Sequence, residues 1–283
     1  MRIGLTSPIV TLVPGVHDPW EVTAGIGELA QIAIAADRLG FDHLTCSEHV
    51  AVPVAVAAER GGTYWDPLAT FGFLAARTEQ IRLATQVLVL GYHHPLEIAK
   101  RYGTLDAVSG GRLVLGVGIG SLDDEFRLLG ASFDDRGARA DDALRALRSS
   151  LSTERPEYHG RFYDYGDVVV RPHATADHVP MWIGGRSMRS LRRAIELGDG
   201  WVPFGLGRRQ LREMLDSVEL PPDFDVVLGS GRLDPGGDPT ATCTAIAQTL
   251  DDGATIVSVT IRASSADHYV QQLESLAELV EIG

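Results

Sequence analysis

The fold is decided by residues 81–120, which read IRLATQVLVLGYHHPLEIAKRYGTLDAVSGGRLVLGVGIG. Residues 81–90 are an almost continuous apolar run, which is typical of a strand buried on both faces of a parallel sheet. Pro95 suits the first turn of a helix, and apolar residues recur at helical spacing from there to the Gly110-Gly111 pair. Residues 112–117 are a second apolar run. The stretch therefore predicts a strand–helix–strand crossover between two parallel strands.

The same alternation of strand and helix continues on both sides of this unit. Apolar runs predict strands at residues 2–6, 41–46, 81–90, 112–117, 179–185, 200–203, 224–228 and 255–261, with helical patterns between them. This alternation predicts a (β/α)8 TIM barrel, a fold of the α/β class. A doubly wound open sheet is the alternative. Its usual Gly-rich first turn is missing, because the first predicted strand runs into Ser7-Pro8.

One segment interrupts this alternation. Residues 155–172 are rich in Tyr, Gly and Asp, and we interpret them as an inserted hairpin rather than a barrel strand. No other break in composition suggests a domain boundary. We therefore predict a single barrel domain over residues 1–283, with a short excursion near 155–172.

The composition argues against several classes of function. The net charge of −13 disfavours nucleic acid or an anionic membrane as the main partner. Cys46 and Cys243 form no CxxC or zinc-type pattern, and His93-His94 lacks a third ligand at suitable spacing, so we predict no metal site. The N-terminus lacks the features of a signal peptide, and no apolar stretch approaches the length of a membrane span. We therefore expect a cytoplasmic protein.

The first candidate site residues stand where predicted strands end, because barrel enzymes carry their active sites at the carboxyl ends of the strands. Glu48 and His49 end the second predicted strand, and Thr85, Gln86 and Val87 lie in the third. His49 could act as an acid or base, or donate a hydrogen bond to a bound ring. A structural histidine bonded to the backbone is the alternative.

Two glycine-containing runs are further candidates. Gly118-Ile119-Gly120 ends the fourth strand, where glycine would allow a ligand to approach the backbone or would simply form a tight turn. Gly184, Gly185, Arg186 and Ser187 precede a helix. Free N–H groups, the helix dipole, a hydroxyl and a guanidinium would together suit a phosphate. The alternative is an ordinary turn with a surface arginine.

Four motifs make the sequence resemble a known family. They are FDHLTCSEH at 41–49, the central stretch at 81–120, DDEFRLLG at 123–130 and PMWIGGRSMRSLRRAIELGDGWVP at 180–203. The chain resembles the luciferase-like monooxygenase superfamily, and most closely its actinobacterial branch that uses the deazaflavin coenzyme F420. The resemblance implies a luciferase-like TIM barrel that binds its cofactor at the carboxyl face of the strands.

The resemblance also implies roles for the candidate residues. His49 would lie beside the deazaflavin ring or the substrate, and the Gln86-Val87 peptide bond would be cis. The remaining cofactor-binding positions that it implies are Glu48, Thr85, Gly118, Ile119 and Gly120 near the cofactor, and Gly184, Gly185, Arg186 and Ser187 at its phosphate. The sugar-phosphate dehydrogenase branch has a glutamate proton donor where this chain has Ser121, which argues against a sugar phosphate as the substrate.

We therefore predict an F420-dependent oxidoreductase that transfers a hydride between the deazaflavin C5 and a small organic substrate, with His49 as the catalytic residue. An FMN-dependent monooxygenase of the same superfamily is one alternative. A non-catalytic protein that binds a flavin or a deazaflavin is another. The resemblance further implies a homodimer.

Overall fold

The computed structural model describes residues 1–282. Within them, eight parallel strands close a barrel. The strands are β1 (Ile3–Leu5), β2 (His43–Cys46), β3 (Arg82–Thr85), β4 (Leu113–Gly118), β5 (Met181–Gly184), β6 (Gly200–Val202), β7 (Asp225–Leu233) and β8 (Ile256–Ile261). Neighbouring strands pair in chain order, and β8 pairs with β1 to close the ring. The prediction of a (β/α)8 barrel is confirmed.

Helices connect the strands and surround the barrel. They are α1 (Ile26–Arg38), α2 (Val54–Arg60), α3 (Pro67–Ala75), α4 (Pro95–Ser109), α5 (Asp123–Leu128), α6 (Arg136–Ser150), α7 (Met188–Leu197), α8 (Arg208–Asp216), α9 (Pro239–Asp251) and α10 (Ala266–Leu279). Two of them begin as their sequences predict: the side chains of Asp66 and Asp238 accept backbone N–H groups of α3 and α9, and a proline follows each aspartate. No helix in residues 1–282 is long and apolar enough to cross a bilayer.

The third strand differs from its prediction. The apolar run at residues 81–90 is divided into β3 and a separate short strand, Leu88–Val89, which pairs with β4. The Gln86-Val87 peptide between them is cis, as the resemblance implies. The predicted loop after β2 also differs, because it contains the helix α2, which has no buried residue.

The excursion after α6 is the predicted hairpin. Its two strands, Tyr158–His159 and Asp164–Tyr165, are antiparallel. Asp142 of α6 ties the hairpin to the barrel, because its carboxylate accepts hydrogen bonds from the Tyr158 hydroxyl and from the N–H groups of Phe162 and Tyr163, at 2.6–3.2 Å.

The amino-terminal end of the barrel is closed by a buried histidine. The His43 side chain is fully buried, its Nδ1 lies 2.7 Å from an Asp42 oxygen, and its ring meets Trp182 edge-on with centroids 5.0 Å apart. A Cβ on Gly4 would lie 2.0 Å from His43 Cε1, so only glycine leaves room for the ring. Burial lowers the pKa of His43 despite the adjacent Asp42 carboxylate. This end of the barrel is therefore a packed plug.

Candidate active site

His49 lies at the carboxyl end of β2, and its ring is held by a carboxylate. Its Nδ1 is 2.6 Å from Glu125 Oε2, and the ring of Tyr64 meets it edge-on at 4.5 Å. The His49 side chain is 18% exposed. Among residues 1–282, no group forms a hydrogen bond with its Nε2. That atom is therefore available to a bound molecule.

Glu125, in α5, is fully buried and accepts four hydrogen bonds. Its Oε1 accepts the N–H groups of Val50 and Ala51 at 2.6 and 3.1 Å. Its Oε2 accepts His49 Nδ1 and, at 2.8 Å, the Tyr92 hydroxyl. Burial opposes ionisation of this carboxyl, but the bonds from His49, Tyr92 and the Ala51 amide outweigh burial and lower the pKa of Glu125. The group is therefore an ionised, immobile acceptor.

Glu48 precedes His49 in sequence but is committed to a different set of contacts. Its Oε2 accepts the Val89 N–H at 2.7 Å, and its Oε1 lies 2.7 Å from His93 Nε2. Burial opposes protonation of His93, but the Glu48 carboxylate outweighs it and raises the pKa of His93. Glu48 thus braces the short strand after the cis bond, and both of its oxygens are already bonded to protein.

Val87 occupies the centre of the predicted cofactor region. A Cβ on Gly118 would lie 2.7 Å from Val87 Cγ2, and a Cβ on Gly184 would lie 2.8 Å from Val87 Cγ1. The two glycines therefore make room for this valine, a role that the sequence did not reveal. The valine is fixed in turn by its neighbours, since Ser47 Oγ donates to the Gln86 carbonyl at 2.7 Å and the Glu48 N–H donates to the Val87 carbonyl at 3.3 Å.

Thr85 and Gly120 also have local structural roles. Thr85 is fully buried and its hydroxyl donates to the Gly116 carbonyl at 2.7 Å, which leaves the side chain no surface for a ligand. Gly120 has φ +76°, and a Cβ there would lie 2.4 Å from the Phe126 ring. Ile119, which precedes Gly120, is half-buried. The turn after β4 is therefore shaped by packing against α5.

The turn before α7 has the features of an anion site. Gly185 has φ +144°, and the Ser187 and Ser190 side chains cap the helix reciprocally, each bonding to the backbone N–H of the other. Among residues 1–282, no acceptor is bonded to the backbone N–H groups of Arg186, Met188 and Arg189. The exposed guanidinium of Arg186 stands 5.9 Å from the Phe204 ring. Free N–H groups at a helix start beside a cation suit a phosphate or a carboxylate.

The predicted residues come together because they follow adjacent strands. His49, Val87, Gly118 and Gly184 stand at or just beyond the ends of β2, β3, β4 and β5, which are neighbours in the barrel. Of the predicted positions, Thr85 and Glu48 have their side-chain oxygens bonded to protein groups.

Glu125 and Tyr64 belong to the site although no pattern in the sequence pointed to them. Glu125 lies within the DDEFRLLG motif, but it is the last of three consecutive acidic residues in the first turn of a helix, where acidic residues are common for electrostatic reasons. No local feature of the sequence distinguishes Glu125 from Asp123 and Asp124.

Comparison with known proteins identifies the family. The model of the luciferase-like monooxygenase family matches residues 7–229. An F420-dependent glucose-6-phosphate dehydrogenase of Nakamurella multipartita is 33% identical over 184 residues, which are 63% of this chain and 52% of that protein.

Two solved structures share the fold. Monooxygenase RslO1 from Streptomyces bottropensis superimposes with a TM-score of 0.72 at 21% identity, over 99% of this chain and 98% of that one. The coenzyme F420-dependent tetrahydromethanopterin reductase from Methanopyrus kandleri gives 0.75 at 15% identity, with the same coverage of 99% and 98%. The chain therefore belongs to the luciferase-like monooxygenase family of oxidoreductases.

Proposed function

We propose that this protein is an F420-dependent oxidoreductase that transfers a hydride between the deazaflavin C5 and a small organic substrate. The observation that carries the proposal is the carboxylate-held His49, whose Nε2 is unpartnered at the carboxyl end of the barrel. The relative from Nakamurella multipartita, whose name states F420 dependence, supports the choice of cofactor. The cofactor, when bound, would supply hydride donation or acceptance at C5.

The chain offers a fitting place for the anionic part of such a cofactor. The free N–H groups at the start of α7 and the exposed Arg186 would hold a phosphate, and the Ser187 hydroxyl retains its proton for donation because it acts as an acceptor in the cap. Gly185 keeps the backbone open at this point. Val87, Gly118 and Ile119 would then lie against the ring portion of the cofactor, with Gln86 and Gly120 beside them.

His49 would handle the proton that accompanies the hydride. Its Nδ1 faces the ionised Glu125, so proton exchange takes place at Nε2. When the substrate is oxidised, the proton released from its hydroxyl or amine passes to Nε2, and the resulting imidazolium is stabilised by the Glu125 carboxylate. In the reverse direction the same atom donates the proton.

The substrate is proposed to lack a sugar-phosphate group. Ser121 stands where the resemblance places the glutamate of the sugar-phosphate dehydrogenases, and its hydroxyl accepts a hydrogen bond from Arg60 at 3.2 Å. No carboxylate is therefore offered at that position. A single domain over residues 1–283, a homodimer and a cytoplasmic location belong to the same proposal.

An FMN-dependent monooxygenase is the second candidate, and the matching family model favours it by name. The same start of α7 would hold the phosphate of FMN. The two candidates differ in the cofactor and in the use of oxygen, so cofactor binding separates them directly.

Parallel fluorescence titrations with F420 and with FMN test the proposal. We expect tight binding of F420 alone, weakened about tenfold or more in Arg186→Glu, which reverses the charge beside the free N–H groups, and weakened to a smaller degree in Arg186→Ala. Arg209→Glu in α8 is the matched control, because it makes the same charge change on a side chain that is 92% exposed.

The other outcomes of the titrations would change the assignment of the cofactor. Tight binding of FMN alone would assign the protein to the monooxygenase candidate. Binding of neither cofactor would overturn both assignments.

A further inference from the structure

The contacts of Glu125 limit its possible movement. Four donors surround its two oxygens, and they come from two separate segments. The His49 ring and the N–H groups of Val50 and Ala51 belong to the segment after β2, and the Tyr92 hydroxyl follows the short strand Leu88–Val89. The side chain is fully buried, so water cannot replace any of these donors. A carboxylate bonded in this way keeps one orientation.

That orientation dictates where the His49 ring carries its proton. The His49 Nδ1 and Glu125 Oε2 are 2.6 Å apart, and an ionised carboxylate can only accept. Nδ1 must therefore bear the hydrogen, because otherwise two lone pairs would face each other. In the neutral ring, the lone pair then resides on Nε2, the atom open to a ligand.

We propose that Glu125 is a positioning residue, which holds His49 as the Nδ1–H tautomer so that Nε2 is the atom that exchanges protons with the substrate. The importance of the tautomer for turnover rests on the proposed function, whereas the tautomer itself does not. Glu125 contacts neither cofactor nor substrate in this scheme and acts through His49.

The substitution Glu125→Gln tests this arrangement with little change of shape. The glutamine oxygen can still accept the N–H groups of Val50 and Ala51 at the Oε1 position. Its NH2 group then occupies the Oε2 position and donates to His49 Nδ1, which forces the proton onto Nε2. The variant therefore reverses the tautomer while keeping the backbone contacts.

The first readout needs no ligand. In ¹⁵N-histidine NMR spectra, with the His49 resonances identified by their loss in His49→Gln, the neutral ring of the unmodified protein should be the Nδ1–H tautomer and that of Glu125→Gln the Nε2–H tautomer. An Nε2–H tautomer in the unmodified protein would overturn the inference even if Glu125→Gln failed to fold.

The second readout is turnover with the cofactor that the titrations identify. We expect Glu125→Gln to lower kcat about 10²-fold or more, with KM changed less than about threefold, because binding contacts remain while the proton acceptor is lost. Glu125→Asp keeps the charge and should recover part of kcat. An unchanged kcat in Glu125→Gln would contradict the proposed role.

A matched control is present on the surface. Asp164 also contacts a histidine Nδ1 at 2.6 Å, that of His159, but this pair lies on the exposed hairpin, where the two side chains are 75% and 65% exposed. Asp164→Asn should therefore leave kcat unchanged. If the tautomer behaves as expected but neither F420 nor FMN supports turnover, the proposed function fails while the positioning of His49 by Glu125 stands.

Discussion

Strand β2 has a histidine–carboxylate pair at each end, and the two pairs differ in their surroundings. At the amino end, His43 Nδ1 lies 2.7 Å from Asp42, and at the carboxyl end, His49 Nδ1 lies 2.6 Å from Glu125. The His43 side chain is completely buried, and its Nε2 has no partner within residues 1–282. The His49 side chain, beyond the carboxyl end of β2, is 18% exposed, and its Nε2 also has no partner within residues 1–282.

The comparison teaches that the pair itself does not determine the role of the histidine. At the amino end, the His43 ring packs against Trp182 and fills the space that Gly4 leaves by having no side chain, so its role is structural. At the carboxyl end, the ring is partly exposed, so its unbonded Nε2 can meet a ligand, whereas the unbonded Nε2 of His43 is sealed in the core. This division agrees with the general rule for (β/α)8 barrels, in which one end provides stability and the other end provides catalysis.

The largest expected effects come from removing each histidine in turn. His49→Asn should lower kcat about 10²–10⁴-fold, because it removes the proton-exchanging group, while the unfolding free energy changes little because the asparagine NH2 can still donate to the buried Glu125 carboxylate. His43→Ala should instead reduce the unfolding free energy by about 2–4 kcal/mol, as expected for a cavity in the core, with kcat of the folded enzyme largely kept. Denaturant titrations and steady-state kinetics on both variants measure this. A loss of stability in His49→Asn as large as that in His43→Ala would contradict the distinction between the two ends.

A smaller effect is expected from Gly4→Ala. The added methyl group would lie 2.0 Å from His43 Cε1, so the ring or the strand must shift, at a cost of about 1–3 kcal/mol of unfolding free energy. Gly27→Ala in α1 is the control, since its methyl group meets no atom within 4 Å and should stabilise the helix by about 0.5–1 kcal/mol. Equal denaturation midpoints for the two variants would show that the plug is loosely packed.

The smallest effect is a dependence of stability on pH. The pKa of His43 is lowered from 6.5 by burial, so below pH 6.5 the unfolded chain takes up a proton that the folded chain refuses. The unfolding free energy should therefore fall as the pH decreases from 7 to 5, by at most about 1.4 kcal/mol per pH unit for this one group.

Two other groups near these pairs give different pH dependences. The pKa of Asp42 is lowered despite its burial, because His43 and Arg82 stabilise its charge, so its contribution is lost only below its unfolded value of 3.8. The pKa of His93 is raised, so its contribution is full below 6.5 and is lost at higher pH. His43→Gln should thus reduce the fall between pH 7 and 5, and His93→Gln should steepen it. Identical pH profiles in all three proteins would contradict this account.

The barrel could be predicted from sequence because its signals are local. Each signal determines the structure of only the few residues around it. These signals are the apolar runs, the glycines at 110 and 111 that end a helix, and the aspartates at 66 and 238 that precede a proline and begin a helix. His49 could be predicted because its position at a strand end already places it in a barrel active site.

The rest of the site depends on contacts between distant segments. Glu125 reaches His49 across 76 positions, and nothing within its own helix turn distinguishes it from two neighbouring aspartates. Gly118 and Gly184 suggested a ligand, yet the nearby group that excludes a side chain there is Val87. Thr85 is a polar residue near a strand end, where a ligand could bind, but its hydroxyl donates to the Gly116 carbonyl of the neighbouring strand.

The contacts of Val87 also constrain how this family member can evolve. Because a methyl group on either Gly118 or Gly184 would collide with the Val87 side chain, neither glycine can change unless residue 87 first becomes smaller. Positions in β4, β5 and the segment after β3 are therefore sterically coupled, although they are far apart in the chain. A redesign that adds a side chain at Gly118 or Gly184 must change residue 87 as well.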